Sequence, residues 1–523
     1  MSSGLADRHW DVIVIGTGMG GGTVGRALAE KGLSVLFVEK GRKGHRAEQT
    51  ALDANLSDRV ARKIRGFWPD PIEGQINGRR ISFYPPLGAG VGGSSVYYAA
   101  ALERPEPHDL DHSPERPHPA GGWPVRYAAF HPYLEAAERI YHICGSADPL
   151  SSVPADNLRP PPDLPPGDAA LMAQMQRIGL HPYRLHTAVR YLEGCLDCLG
   201  VKCPRNCKMD GRSAGVEPAL ATGRAALLER CEVTALRGEP GRITHVEALL
   251  DGNPVTLRGD VVVLAAGGFG SPQLLLDSAA EHWPQGCANE SGLVGRNLMF
   301  HVNEMFALWP DRSARNFAPS RAIGLRDLYY TEGKRFGMVQ AMGLNASYGD
   351  ILHHLRMLLA RTGLDRIRPL RQLARFPAGI AARILGDAKI FVGLMEDIGY
   401  PENRILPPDG SGTLRFEYRF SDELLARRKA FRKAIRRSFR GQRKMFLSFQ
   451  PELNFGHPCG TLRFGEDPAT SVLNPDCRAH GIGNLYVTDS SFMPSSMGVN
   501  PSLTIAANAL RVADRIAEAR NEH

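Results

Sequence analysis

Nothing in this 523-residue chain approaches the run of about eighteen consecutive apolar residues that a membrane-spanning helix requires. The opening MSSGLADRHWDVIVIG passes from a few polar residues straight into an apolar strand pattern, with no basic-then-apolar secretory signal. Cytoplasmic residence is therefore the expectation, or export as the passenger of a signal-bearing partner. Internal repeats are lacking too. The basic runs have no interleaved aromatics and no nucleic-acid motif occurs, so no nucleic-acid partner is expected. What remains is an ordinary globular composition, 43% apolar and 23% charged. The length calls for two or three domains, or one domain with large insertions.

Acidic residues are scarce in two places, and the net charge of +8 is local to them. ILHHLRMLLARTGLDRIRPLRQLARFPAGIAARI (351–384) carries many arginines and a lone acid. SDELLARRKAFRKAIRRSFRGQRK (421–444) opens on Ser421, Asp422 and Glu423 and then turns basic, the order a helix dipole favours. Leu424, Phe431, Ile435 and Phe439 give it an apolar stripe. Two readings stand: solvated helix faces, or a basic surface for a membrane or an acidic partner.

DVIVIGTGMGGGTVGRALAEKGLSVLFVEKG (11–41) is the strongest local signal. DVIVIG reads as a buried parallel strand. Gly16, Gly18 and Gly21 follow in G-x-G-x-x-G spacing, a helix pattern runs to Gly32, and SVLFVE ends at Glu39. Gly16 would make the tight turn, Gly18 would admit a pyrophosphate, and Gly21 would let helix pack on strand. The helix N-terminus offers N–H groups to phosphate. Glu39, 18 residues after Gly21, is placed to accept from a ribose. The unit predicts a dinucleotide and leaves FAD and NAD open.

Further along stand PLGAGVGGSSVYY (86–98), GGWPVRYAAFHPYLEAAERI (121–140), VVVLAAGGFGSPQLLLDSA (261–279), LVGRNLMFH (293–301) and MEDIGYPENRI (395–405). The last is GHPCGTLRFGEDPATSVLNPDCRAHGIGNLYVTDSSFMPSSMGVNPSLTIAANALRVADRI (456–516). In this order they resemble the segments of the glucose–methanol–choline oxidoreductases, FAD enzymes acting on alcohols. The resemblance implies non-covalent FAD, since GGSSVYY lacks the His that some members link to the flavin. It makes His457 the base that accepts the hydroxyl proton while hydride goes to flavin N5, and Asn500 the orienting amide beside it. It puts Gly92, Gly93 and Ser94 against the flavin ring, Asp489 and Ser490 on its ribityl-phosphate side, Val233 at the adenine, and Gly498 to Asn500 with Pro501 at the flavin edge. Tyr98 stands near a position where Asn is common. Read alone, His457 is a hydrogen-bonded structural histidine and Asn500-Pro501 a turn.

GCLDCLGVKCPRNC (194–207) holds Cys195, Cys198, Cys203 and Cys207 in C-x2-C-x4-C-x3-C spacing. Four thiols within 13 residues, with Gly194, Gly200 and Pro204 to turn the loop, can surround one small centre. Zinc is an alternative, although its usual paired C-x2-C knuckles lie further apart. Disulfides or free thiols are another, disfavoured by an odd total of nine cysteines in a chain expected to be cytoplasmic. The segment resembles the cysteine stretch of bacterial FAD-dependent glucose and fructose dehydrogenases. That implies an iron–sulfur cluster, 3Fe–4S or 4Fe–4S, handing electrons to a cytochrome or quinone. Cys195 departs from the pattern of the glucose enzymes. Of the scattered cysteines, Cys459 is expected near the site.

The fold class expected is α/β, a Rossmann-like FAD domain joined to an α+β substrate domain with an antiparallel sheet. Residues 1–110, 208–298 and 455–523 would form the first, 299–454 the second, and 111–207 a bridge carrying the cysteine loop. The function expected is FAD-dependent oxidation of an alcohol CH–OH by a dehydrogenase. An oxygen-using oxidase, a non-redox lyase and a membrane-associated scaffold are the alternatives. Glu396 is a further candidate to reach the site.

Overall fold

A computed structural model of the chain describes residues 3–46, 58–310, 320–345, 348–361 and 367–521. DVIVIG lies in the strand His9–Ile15, paired in parallel with Val35–Glu39 on one side and Asn253–Leu264 on the other. Both of its faces are covered, so Val12, Ile13 and Val14 are fully buried and the apolar run need not alternate. The sheet runs Ala225–Glu229, Val35–Glu39, His9–Ile15, Asn253–Leu264, Arg242–Leu250, Cys231–Glu239. The last two strands are antiparallel, and Leu485–Val487 joins Asn253–Leu264 in parallel. Its strands thus come from three distant parts of the chain. The helix Met19–Glu30, which ends ahead of Gly32, packs against the C-terminal helix Ser502–Asn521.

The second large sheet is antiparallel throughout. Its order is Lys444–Phe446, Val302–Leu308, Lys389–Met395, Val339–Asn345, Ile323–Leu325, Tyr183–Arg184, with Glu452–Leu453 also on Val302–Leu308. The helix Asp422–Ser438 covers it. Ser421 caps that helix by accepting from the Leu424 N–H at 3.1 Å, and Asp422 and Glu423 occupy its first turn. Leu424, Phe431, Ile435 and Phe439 are all buried, as their stripe predicts; Phe431 stacks on Phe336. The expected pairing of a Rossmann-like half with an antiparallel half is the fold observed.

The stretch 351–384 is helical where described. Tyr348–Arg361, Arg368–Leu373 and Arg375–Leu385 are inserted between the neighbouring strands Val339–Asn345 and Lys389–Met395. Among the described residues no helix is long and apolar enough to cross a membrane. The Pro-rich run 151–168 connects elements until a helix begins at Pro166.

Candidate active site

A cleft of about 540 Å³ opens at the C-terminal edge of the parallel strands, the place where such sheets bind ligands. Gly16 turns the chain with φ +97°, and a methyl there would sit 2.4 Å from the Ala265 carbonyl oxygen. A methyl on Gly21 would lie 2.0 Å from the Gly16 oxygen, which is the helix-on-strand approach expected of it. Gly18 occupies the N-cap of Met19–Glu30 and supplies no side-chain cap. The first-turn N–H groups are therefore left for a ligand, with the positive end of the dipole behind them. Gly20, unmarked in the sequence, is as tight: its added methyl would meet the Thr488 oxygen at 2.0 Å.

Gly16, Gly18, Glu39, Gly93, Ser94, Val233, Asp489, Ser490, His457, Asn500 and Pro501 all line the cleft. Gly21 and Gly92 stand behind it. Gly92 is a correction: its N–H donates to Thr17 Oγ1 at 3.1 Å and its Cα faces Val96 and Arg212, so it shapes the loop rather than touching the cleft. Glu39 accepts from Thr17 Oγ1 at 2.6 Å and from the Gly41 N–H at 3.1 Å. The Asp489 carboxylate accepts from the Gly267 and Ser491 N–H groups at 2.8 and 2.9 Å and from the Ser271 hydroxyl. It pins the start of the helix Gly267–Asp277 at the cleft wall. Burial raises its pKa against those donors. Ser490 Oγ donates to the Pro458 carbonyl at 2.6 Å and so fixes the turn that carries His457. Tyr98 lines the cleft with its hydroxyl on the Met209 carbonyl.

A second cavity of about 220 Å³ abuts the first, and His457, Asn500, Tyr97, Ala99, Ala101 and Asn454 line both. The two expected reacting residues therefore stand at the junction. His457 Nδ1 lies 3.2 Å from Asn454 Nδ2 and 3.2 Å from His301 Nδ1, which leaves Nε2 as the ring nitrogen with no partner among the described residues. Burial, and then the neighbouring His301, hold His457 well below the usual imidazole pKa, so it is neutral at pH 7. Burial lowers His301 to about 4. Asn500 Nδ2 donates to Gln340 Oε1 at 2.8 Å, which fixes the amide and leaves its oxygen for a ligand. The sequence did not mark Asn454 or Gln340, and gave His301 no role beyond closing LVGRNLMFH.

Apolar Leu185, Leu344, Met342, Val392 and Leu394 line the smaller cavity, with the polar groups of Asn303, Gln340 and Arg321. Arg321 is buried and donates to the Ala99 carbonyl and to Asp197. Asp197 belongs to the cysteine loop, and Leu199 and Gly200 of that loop form part of the cavity wall. Two other expectations are corrected. Glu396 is engaged by Arg335 at 2.7 Å, a pairing that overcomes burial and holds its carboxyl at about 2, and it lines neither cavity. Cys459 packs against the Met299 carbonyl and lines neither.

All nine cysteines are free. Cys203 Sγ accepts the Cys207 and Lys208 N–H groups at 3.2 and 3.4 Å, and Cys195 Sγ accepts the Asp197 N–H at 3.5 Å. Burial would raise the Cys203 thiol, but N–H donors from Lys208, Arg205 and Cys207 outweigh it and the net shift is downward. Burial and the Cys195 thiol push Cys207 up to about 11. Lys208, also buried, drops to about 8. Cys207 feels both Cys195 and Cys203, and Cys203 in turn acts on Cys198. Among the described residues no three His, Cys, Asp or Glu side chains are grouped to hold a metal ion, so Cys195, Cys198, Cys203 and Cys207 are neighbours without forming the expected ligand shell.

An uncapped helix N-terminus, glycines no methyl could replace and a neutral imidazole at a cavity junction fit a dinucleotide-dependent oxidoreductase. The GMC oxidoreductase family models match residues 10–303 and 408–509. The 6'''-hydroxyparomomycin C oxidase of Streptomyces lividus is 30% identical over 99% of this chain and 93% of its own. The fructose dehydrogenase large subunit of Gluconobacter japonicus is 24% identical over 97% of each chain. The solved pyridoxine 4-oxidase from Mesorbium loti shares the fold, with a TM-score of 0.63 and 18% identity over 98% of this chain and 99% of its own. The chain belongs to the GMC oxidoreductases, FAD enzymes that act on alcohol CH–OH groups.

Proposed function

We propose that the chain is a dehydrogenase of a small hydroxylated substrate held in the 220 Å³ cavity, with His457 as base and Asn500 orienting the alcohol oxygen. The observation that carries this is the position of His457 and Asn500 on the boundary shared by the two cavities. Gly16, Gly18, Glu39, Gly93, Ser94, Val233, Asp489, Ser490 and Pro501 would hold FAD, which when bound supplies the acceptor for the substrate hydride.

The chain's own residues handle the proton. A neutral His457 takes the hydroxyl proton at Nε2 only if its other proton sits on Nδ1, donated to His301 Nδ1. Asn454 favours the opposite tautomer, because its amide N–H points at the same Nδ1. His301 therefore decides which tautomer serves. Asn303 and Gln340 offer hydrogen bonds to further hydroxyls, and Leu185, Leu344 and Leu394 exclude water from the reacting face. This suits a sugar or polyol, and fructose is the substrate in the name of one of the two relatives.

The reading extends to an electron exit through an iron–sulfur cluster on Cys195, Cys198, Cys203 and Cys207, toward a cytochrome or quinone. Free thiols, N–H donors to the sulfurs and a buried Lys208 support it. The loop would have to draw its four thiols together around the cluster. An oxidase using oxygen is favoured instead by the ungrouped thiols.

The test is anaerobic reduction of the purified protein by a panel of sugars and polyols, with iron and sulfide analysis. Bleaching of the flavin bands by a substrate is expected, and no bleaching by any alcohol would refute the oxidation. About three or four irons per chain with matching sulfide support the exit. Iron-free protein releasing stoichiometric peroxide establishes the oxidase.

A further inference from the structure

Of the two basic stretches, only one turns an apolar stripe outward. On the helix Asp422–Ser438 the apolar stripe is buried; Arg427 is held by Glu423 and Arg428 and Arg432 by buried Glu304, while Arg437 pairs with Glu332 at the surface. The helix Arg375–Leu385 differs. Its inner face buries Ala378 and Leu385, with Ala374 just ahead of them. Its outer face carries Phe376, Ile380 and Ile384 at i, i+4 and i+8, one stripe of a helix. Together with Leu373 and Ile367 they are 47 to 72% exposed. Single exposed apolar residues are ordinary, but five within 18 residues form a patch.

The charge around the patch identifies its partner. Residues 367–385 contain four arginines (Arg368, Arg371, Arg375 and Arg383) and no Asp or Glu. Arg375 and Arg383 are exposed and form no ion pair among the described residues. An apolar stripe bordered by unpaired arginines matches the boundary between anionic headgroups and acyl chains. A second protein surface would have to bring carboxylates around an apolar centre, whereas an anionic bilayer offers both at once. The helix is too short to span and is suited to lie in the interface.

We propose that the helix Arg375–Leu385, with the turn before it, docks the enzyme on an anionic lipid surface. The three helices of this insertion connect strands Val339–Asn345 and Lys389–Met395, which supply Gln340, Ala341, Met342 and Leu344 and then Val392 and Leu394 to the smaller cavity. Docking thus presents the substrate-cavity half of the molecule to the membrane. It is independent of which acceptor takes the electrons.

The experiment sediments the holoenzyme with vesicles of phosphatidylcholine alone and of phosphatidylcholine with phosphatidylglycerol. Binding to the mixed vesicles that high salt reverses is the expected result. The double variant Phe376→Ser with Ile380→Ser should lower vesicle affinity about a hundredfold, while flavin content and turnover of a water-soluble alcohol stay unchanged. Arg375→Gln and Arg383→Gln should each cost about fivefold. Equal binding to neutral vesicles, no binding to either, or variants that change the oligomeric mass but not vesicle binding would each overturn the proposal, the last in favour of a second copy on this face.

Discussion

Within one cleft, the nucleotide side is made of main chain and the reacting side of side chains. At Gly16 and Gly20 the cleft wall, and at Gly21 the layer just behind it, is backbone packed on backbone, with 2.0 to 2.4 Å left for any added methyl. At the junction of the cavities the working atoms belong to His457, His301, Asn454, Asn500 and Gln340, and each is aimed by another side chain. A rigid cradle can hold a large cofactor with no residue-specific chemistry, while proton transfer needs a particular nitrogen in a particular tautomer. Damage to the first side should therefore remove the cofactor or the fold, and damage to the second should remove turnover alone.

The sharpest way to break that contrast is Gly21→Ala. Neither the Gly16 main chain nor the Ala265 Cβ beside it can retreat, so destabilisation of about 3 kcal/mol or more is expected, seen as colourless or insoluble protein. A stable yellow variant would remove the backbone half of the comparison. On the other side, His457→Ala should keep its flavin and lose about a hundred- to ten-thousandfold in kcat/KM, measured by stopped-flow flavin reduction.

The pH dependence of folding sharpens the contrast. His301 and His457 are held neutral by burial, so their folded pKa values lie below the ordinary 6.5, at about 4 for His301. The unfolded chain takes up these protons first. Stability is full above pH 6.5 and is lost as pH falls toward 4, by up to about 3 kcal/mol for His301. Denaturant titrations should show that slope, and His301→Gln should flatten it.

His301→Ala should also lower kcat by about tenfold or more, because Asn454 then directs the His457 proton to Nε2. Adding Asn454→Asp, an acceptor at Nδ1, should recover part of that loss; no recovery would show that the tautomer is not what His301 controls. The smallest effect expected is at the cavity wall: Leu199→Ala should change KM by a few fold while flavin content holds.

Local features were readable in the sequence. DVIVIG, the glycines and Glu39 lie within a few turns of chain, and the apolar stripe of the helix Asp422–Ser438 follows from its 3.6 period. The side-chain half was readable only where a motif marked it, as for His457 and Asn500. His301 reaches His457 across 156 positions and Gln340 reaches Asn500 across 160, distances over which spacing carries no signal. Gly92 belongs to the right segment but sits one step behind the cleft. The cysteine spacing announced a crowd of thiols, yet whether they converge depends on loop conformation, which spacing does not encode.

Leu199 and Gly200 belong to the same short loop as the four thiols, and Asp197 ties that loop to Arg321 in the cavity. Selectivity and redox history are thereby written into one piece of chain. Peroxide treatment that joins or caps these thiols should alter which alcohols are preferred before it abolishes activity. The ratio of kcat/KM for a bulky and a small substrate, followed during oxidation, would register that drift; an unchanged ratio would mean that the wall and the thiols age separately.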